Sequence, residues 1–410
     1  MRISIIQPTR NNLKYLKWAY QAIRDNQGGH IVEICVADDA SNDGTWEWCQ
    51  EVLRGGDTNF KCIRNDGPER LGHTILYDRL VNEVASYDKC MIYHADMYLC
   101  PGALDEIEKH IGPKKIVSLT RIEPPLHPDG PEKVLADWGV EPEDFNEGEF
   151  LKWFSLVDGF KGNTITEGIF APWAFMKSDF QEIGGHDPLY APQSKEDSDI
   201  FNRFQLNGVK FIQTWKGCVY HMTCRGSRFN PTLTTPGQNS SEWEAQNIRS
   251  SRNFIRKWGH FVQHDAMMKP IIPPKFNIAF VMNNGNLSLL EALEPWCDRI
   301  YTEESFKVAG RLQDYIETEQ SNTLFDLTKR VLIKKENDPY AENDIILEFD
   351  ASQFTNRSFD IIYNLSNVIA QTLKDVEDPL GEYQIDCFKI TINHVETYEN
   401  ELISLNNYIK

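Results

Sequence analysis

The stretch Ile31-Val32-Glu33-Ile34-Cys35-Val36-Ala37-Asp38-Asp39-Ala40-Ser41-Asn42-Asp43-Gly44-Thr45 decides the fold. Residues 31–37 are a short apolar run, read as a buried strand, and two carboxylates stand at its end. Ser41-Asn42-Asp43-Gly44 is a cap-rich turn that opens a helix over 45–53. A strand that ends in acids and turns into a helix is one repeat of an α/β pattern.

The same pattern extends to both sides. Residues 3–7 read as a strand, 15–25 as a helix with apolar Leu16, Ala19, Tyr20 and Ile23, 60–64 as a strand, 74–86 as a helix and 89–94 as a strand. Such alternation predicts a mostly parallel sheet flanked by helices. Ligands bind such sheets at the carboxyl ends of the strands.

The stretch 121–148, with Pro124, Pro125, Pro128, Pro131 and Pro142, is an excursion from the sheet with a short helix expected over 131–138. Residues 224–241 read as a loop and 241–258 as a helix. Pro270, Pro273 and Pro274 then mark a boundary. Two domains are expected, 1–268 and a smaller α/β domain over 275–410. In the second, strands are expected near 276–282, 299–302, 345–349 and 384–392, and helices near 287–296, 310–330, 359–373 and 398–409. It holds 24 acidic and 12 basic residues, with no catalytic motif.

Composition narrows the function. The 410 residues carry a net charge of −19, which argues against nucleic acid and anionic membrane as main partners. No apolar run approaches the roughly 18 residues of a membrane span, and the run 1–6, ended by Pro8, is too short for a secretory signal. Nine scattered cysteines without a CxxC pair read as buried thiols in a reducing compartment, so a cytoplasmic location is expected.

Four motifs carry chemistry, each with a bland reading beside it. Asp38 and Asp39 can accept a hydrogen bond from a nucleobase N–H, or simply cap a helix. Asp96, in Tyr93-His94-Ala95-Asp96-Met97, can bind a divalent cation that bridges phosphate oxygens, or be merely solvated. Glu196-Asp197-Ser198-Asp199 can supply a base for an attacking hydroxyl, or only complement a helix dipole. His221 can complete a cation site, or be structural.

In order and spacing these motifs resemble the inverting glycosyltransferase family 2, of GT-A fold, from Ser4 to about Gly259. Asp38-Asp39-Ala40-Ser41-Asn42-Asp43-Gly44-Thr45 is similar to the family's nucleotide-binding signature and Pro8-Thr9-Arg10-Asn11 to its first-strand motif. Glu196-Asp197-Ser198-Asp199-Ile200 is similar to its acidic catalytic motif, and Asn253 to Gly259 to the helix that often ends the catalytic domain. His221 falls where a late metal-binding His is expected. At the metal motif, His94-Ala95-Asp96 departs from the usual Asp-x-Asp, leaving Asp96 as the metal-binding acid.

The resemblance implies a metal-dependent, non-processive transfer of a sugar from a nucleotide-diphosphate donor, a UDP-sugar, to a glycan or other hydroxyl acceptor. It implies nucleotide contacts from Pro8, Thr9, Asn11, Asp38, Asp39, Ala95 and Asp96, with Arg225 and Arg228 closing over the diphosphate. Asp96 and His221 would hold Mn2+ or Mg2+. Asp197 would act as base and Glu196 would orient the acceptor. Self-association through the second domain is a further expectation. The alternatives are a catalytically impaired carbohydrate-binding or scaffold protein on the same fold, and a nucleotidyltransferase. The latter usually has a Gly-rich loop after the first strand, where this chain has Gln7-Pro8-Thr9-Arg10-Asn11.

Overall fold

The structure, a computed structural model, describes residues 1–225, 239–335 and 343–405. They form two compact units: Met1–Gln246 with His264–Ile271, and Asn247–Gln263 with Ile272–Lys410.

The first unit is built on a sheet whose described strands number ten. In chain order they are β1 (Arg2–Thr9), β2 (Ile31–Asp39), β3 (Phe60–Asn65), β4 (Lys89–Ile92), β5 (Met97–Leu99), β6 (Lys115–Glu123), β7 (Lys133–Leu135), β8 (Ile165–Thr166), β9 (Trp173–Met176) and β10 (Lys210–His221). The spatial order is β3-β2-β1-β4-β9-β6-β10-β5, with β7 on β6 and β8 on β10. The first four of these run parallel. β1 and β2 are buried from their second residue onward, as expected for strands covered on both faces. β9 then pairs antiparallel with both β4 and β6, and β5 antiparallel with β10.

This order positions the site. Parallel pairing of β1 with β2 sets Thr9 beside Asp38. β4 ends at Ile92, and the chain reaches Asp96 four residues later. In the antiparallel pair of β10 and β5, His221 lies opposite Met97. The turn after β4 and the end of β10 therefore meet, although 125 positions separate Asp96 from His221.

The stretch expected as a helix over 131–138 instead holds β7, which pairs with β6 through Arg121↔Lys133, Ile122↔Val134 and Glu123↔Leu135. The end of β6 offers a free edge, and pairing to it outweighs the weak propensity of one helical turn.

The second unit has a six-stranded sheet among its described residues: β11 (Ile278–Asn283), β12 (Arg299–Thr302), β13 (Val331–Ile333), β14 (Ile345–Asp350), β15 (Gly381–Ile385) and β16 (Phe388–Ile392). Its order is β13-β12-β11-β14-β16-β15. The run expected as one strand over 384–392 is a hairpin, because Asp386 adopts φ 53° and turns the chain back. The helix expected over 310–330 is broken into Arg311–Gln320 and Leu327–Arg330, where Asp326 caps the second piece by accepting from Thr328 N–H. Residues 398–405 form turns rather than a helix. They are held by the Tyr398 hydroxyl on Asp344, 2.6 Å, and by Tyr398 N–H on the Lys275 carbonyl; 406–409 lie outside the described residues.

Candidate active site

At the ends of β1 and β2 the backbone is cross-tied. Asn11, at φ 52°, donates its N–H to Ser41 Oγ (2.9 Å) and accepts from Asn42 N–H on its Oδ1 (2.8 Å). Asp38, fully buried, accepts from Ser41 N–H at 3.1 Å and faces Arg64 Nε at 3.3 Å. Asp39 accepts from Asn65 Nδ2 (2.7 Å), Leu71 N–H (3.0 Å) and Gly72 N–H (2.9 Å), with Arg70 Nε at 3.8 Å. An ionised carboxylate offers about four acceptor positions. Three protein donors therefore leave room for one more.

Beside this loop three buried polar atoms have no hydrogen-bond partner: Gln7 Oε1, Thr9 Oγ1 and Arg10 Nη1. Buried polar atoms are almost always paired, so a row of unsatisfied ones along the end of β1 marks a place for a polar ligand. Pro8 lies between Gln7 and Thr9, in register with Ala37.

The second group gathers around His221. Ligand atoms of His94, Asp96 and His221 all lie within 4.8 Å of one another, and His221 Nε2 is 3.4 Å from Asp96 Oδ2. Ala95, between the other two, is buried. On its far side, His221 Nδ1 is 2.7 Å from Glu123 Oε1. Glu123 is itself held by Arg121 Nη1 (2.9 Å) and Lys133 Nζ (3.1 Å). Burial opposes the charging of His221, but Asp96 and Glu123 outweigh it and raise its pKa to about 9. Burial likewise favours the neutral acid at Glu123, but His221, Arg121 and Lys133 hold it ionised well below the usual carboxylate range. The pairing with Glu123 orients the ring so that Nε2 faces Asp96.

The third group opens the helix Glu196–Leu206, entered through Ser194 and Lys195, both at positive φ. Glu196 is buried, with Oε2 unpartnered, and Asp197 is partly exposed. Burial first, then the neighbouring Asp197, lifts Glu196 to about 8. Burial also raises Asp197, with His186 and His94 opposing. Asp199 is a structural member of the motif: it accepts from Arg203 Nε at 2.7 Å. Arg203 also donates to the carbonyls of Ile183 and Gly185, bracing the loop Gly184-Gly185-His186-Asp187 that precedes the helix. In that loop His186 Nδ1 pairs with Asp78 Oδ1 at 2.8 Å, its ring stacks on Tyr77, and its Nε2 is buried without a partner.

Electrostatics link the three groups. Burial, then Asp197, Glu196 and Asp96, pushes the Tyr77 hydroxyl far above its ordinary value. Burial, then His94 and Arg70, depresses His73 to about 3, with Asp39 opposing. Tyr77 thus senses the acids of the second and third groups, and His73 senses Asp39 together with His94. Arg225 is engaged by the 140–141 segment, donating to the Val140 carbonyl (2.8 Å) and pairing with Glu141 at 3.0 Å. Arg228 lies outside the described residues.

Sequence reading missed several members. Glu123 left one signal, a carboxylate at the end of the apolar strand Lys115–Glu123, flanked by Arg121. Arg10 and His186 lie inside stretches that stand out in the sequence, but nothing there gives either a role; Arg70, His73 and Asp78 left no signal, because each enters through a loop or helix whose direction only the fold sets.

The mixed α/β sheet of the first unit, parallel over β3-β2-β1-β4 and continued by antiparallel strands, has the GT-A architecture. Residues 4–184, within the first unit, match the family model described as glycosyl transferase family 2. The match includes Asp38, Asp39, His94 and Asp96 and ends before Glu196, Asp197 and His221. No curated protein matches the chain.

Among solved structures the chain is similar to GalNAc-T7 with UDP, GalNAc and Mn2+, at 14% identity and a TM-score of 0.44, over 62% of this chain and 48% of that one. It is also similar to the mannosyltransferase PcManGT from Pyrobaculum calidifontis in complex with GDP-Man and Mn2+, at 15% identity and a TM-score of 0.38, over 60% and 61%. A third is S. aureus TarS 1–349 in complex with UDP-GlcNAc, at 15% identity and a TM-score of 0.36, over 54% and 61%. The chain thus spans about half the length of the GalNAc-T7 structure.

Proposed function

We propose that the first unit transfers a single sugar from a nucleoside-diphosphate donor, a UDP-sugar, to a hydroxyl of a glycan or other acceptor, with inversion and with a divalent cation. The observation that carries this reading is the clustering of His94, Asp96 and His221 within 4.8 Å, with Asp197 close enough to act electrostatically on His94.

In this reading the remaining acceptor capacity of Asp39 takes the uracil N3–H. Asp38 and Asn11 hold the loop, and Thr9 and Pro8 border the base. Arg10 and Arg70 supply positive charge beside it. Asp96, with its imidazole neighbours, suits a dication, since one carboxylate and two ring nitrogens converge on one point. Such an ion, when bound, offsets the negative charge that develops on the leaving diphosphate.

Asp197 accepts the proton of the acceptor hydroxyl as it attacks the anomeric carbon. The raised affinity of the Glu196–Asp197 pair for protons suits that task, because a base works best with a pKa near the operating pH. Glu196 orients the acceptor. Arg225 closes toward the diphosphate by exchanging its hold on the 140–141 segment. Single transfer fits the absence of a Gln-x-x-Arg-Trp motif, and no helix among the described residues is long and apolar enough to cross a membrane.

The test is release of UDP from a panel of UDP-sugars with Mn2+ and a mixed acceptor set. Asp197→Asn is expected to retain UDP binding by calorimetry and to lose transfer by about 10²–10⁴-fold. A variant that keeps most of its transfer rate would remove Asp197 from the role of base.

A further inference from the structure

We infer that His94 is a third protein ligand of the cation site, and that the resulting set of two imidazoles and one carboxylate selects a transition-metal dication such as Mn2+ or Co2+ over Mg2+. The inference deepens the proposed function, since it takes the cation site of that reading and asks which ion its donors choose.

The geometry begins with His221. Its Nδ1 is committed to Glu123 at 2.7 Å, so Nε2 is the nitrogen left for a metal. A carboxylate behind a ligating imidazole fixes both its tautomer and its direction. Here that carboxylate is buried and anchored by Arg121 and Lys133, so His221 cannot easily turn away. Its Nε2 stands 3.4 Å from Asp96 Oδ2. Two ligands each about 2.1 Å from one ion are normally about 3–3.5 Å apart, so this pair needs little adjustment.

His94 supplies the remaining donor. Its ring nitrogen lies within 4.8 Å of both other ligand atoms, and its ring centroid is 6.0 Å from that of His221. The Gln7 amide contacts its carbonyl at 3.4 Å and steadies the turn. Closing from that separation to a common shell requires a side-chain rotation, not a change of fold.

The donor chemistry then selects the ion. Mg2+ holds to oxygen ligands in near-ideal octahedral geometry and gives up water reluctantly. Imidazole nitrogen suits the later first-row metals best, with Co2+ above Mn2+ at the foot of the affinity order, and a two-His, one-carboxylate set leaves open positions for further ligands. Mn2+ still accepts nitrogen donors more readily than Mg2+, which holds to oxygen. Those positions are where diphosphate oxygens would bind. An acid in place of His94 would give a site richer in oxygen and more tolerant of Mg2+.

The experiment measures metal binding to the full chain without any nucleotide. Calorimetry with Mg2+, Mn2+ and Co2+ is run on the wild type, His94→Asp and His94→Ala, with thermal melts as the check on folding. Pulsed EPR of the Mn2+ complex counts coordinated imidazole nitrogens. The expected result is that Co2+ and Mn2+ bind more tightly than Mg2+, with Co2+ the tighter of the two, and that the Mn2+ complex holds two imidazoles in the wild type and one in His94→Asp. His94→Asp should narrow the Mn2+/Mg2+ gap. Equal affinity for Mg2+ and Mn2+ in the wild type overturns the inference. So does a folded His94→Ala with unchanged Mn2+ affinity, or one imidazole in the wild-type spectrum. Because no sugar donor is present, a chain that binds Mn2+ through two imidazoles yet transfers nothing refutes the transferase reading alone.

Discussion

Glu123 Oε1 and His221 Nδ1 stand 2.7 Å apart and join the ends of β6 and β10 by a buried, charge-assisted contact. β6 and β10 run parallel and place Ile122 beside Tyr220, so the pair closes one step beyond the last registered residues. The contact points the other ring nitrogen at Asp96. Glu123→Gln should therefore weaken Mn2+ binding by about 10–100-fold, the usual cost of losing a carboxylate behind a metal-bound histidine. Calorimetry on the folded variant checks this, and unchanged affinity would show that the pair serves stability alone.

The raised pKa of Glu196, about 8, makes a prediction about stability. In the unfolded chain a glutamate titrates near ~4.3. Between those two values the folded protein keeps a proton that the unfolded chain has released. Stability should thus fall as pH rises through that window and level off above about 8. Glu196→Gln removes this dependence. Its melting temperature should match the wild type near pH 4 and exceed it increasingly toward pH 8; parallel profiles would refute the assignment.

Gly185 is expected to tolerate no side chain. Its φ is +76°, and a Cβ would land on the Asp78 carboxylate and crowd Phe180. The left-handed backbone alone costs a non-glycine residue about 1–3 kcal/mol, and displacing Asp78 releases His186 as well. Urea denaturation of Gly185→Ala should show a loss of at least that size, and a loss under about 0.5 kcal/mol, typical of neutral surface changes, would contradict it.

In the second unit, Glu294 is fully buried and accepts from Arg256 Nη2 (2.6 Å), Arg330 Nε (2.7 Å) and the Tyr315 hydroxyl (2.9 Å). Glu294→Ala leaves two buried guanidinium groups without this partner, and breaking such a pair costs about 3–5 kcal/mol. A thermal melt of the full chain should show the loss in the transition of this unit. Metal binding at His94, Asp96 and His221, titrated below that transition, is expected to be unaffected.

The stretch 31–45 was legible because its signals are local. A seven-residue run that is apolar apart from Glu33, two acids and a cap-rich turn specify strand, strand end and helix start without help from distant residues. The same holds for Glu196 and Asp197 at a helix start. The helix expected over 131–138 failed for the opposite reason: those residues follow the free edge of β6, which no local pattern reveals. The strand expected over 384–392 failed at Asp386, whose positive φ splits one apolar run into a hairpin. At the metal motif the sequence showed only an acid missing from its usual place. That His94 approaches the same point as Asp96 and His221 depends on the turn after β4 and on the pairing of β10 with β5.

The amino-acid order alone determined the α/β alternation, the strand ends that carry acids and the family likeness, because hydrophobic period and capping chemistry act over neighbouring residues. Tertiary structure alone decided which groups share one pocket: the support of Glu123 for His221, the third donor at His94, and the three backbone and side-chain donors that bind Asp39. Those contacts link segments up to 127 residues apart, and only sheet order and register bring such segments within a few ångströms.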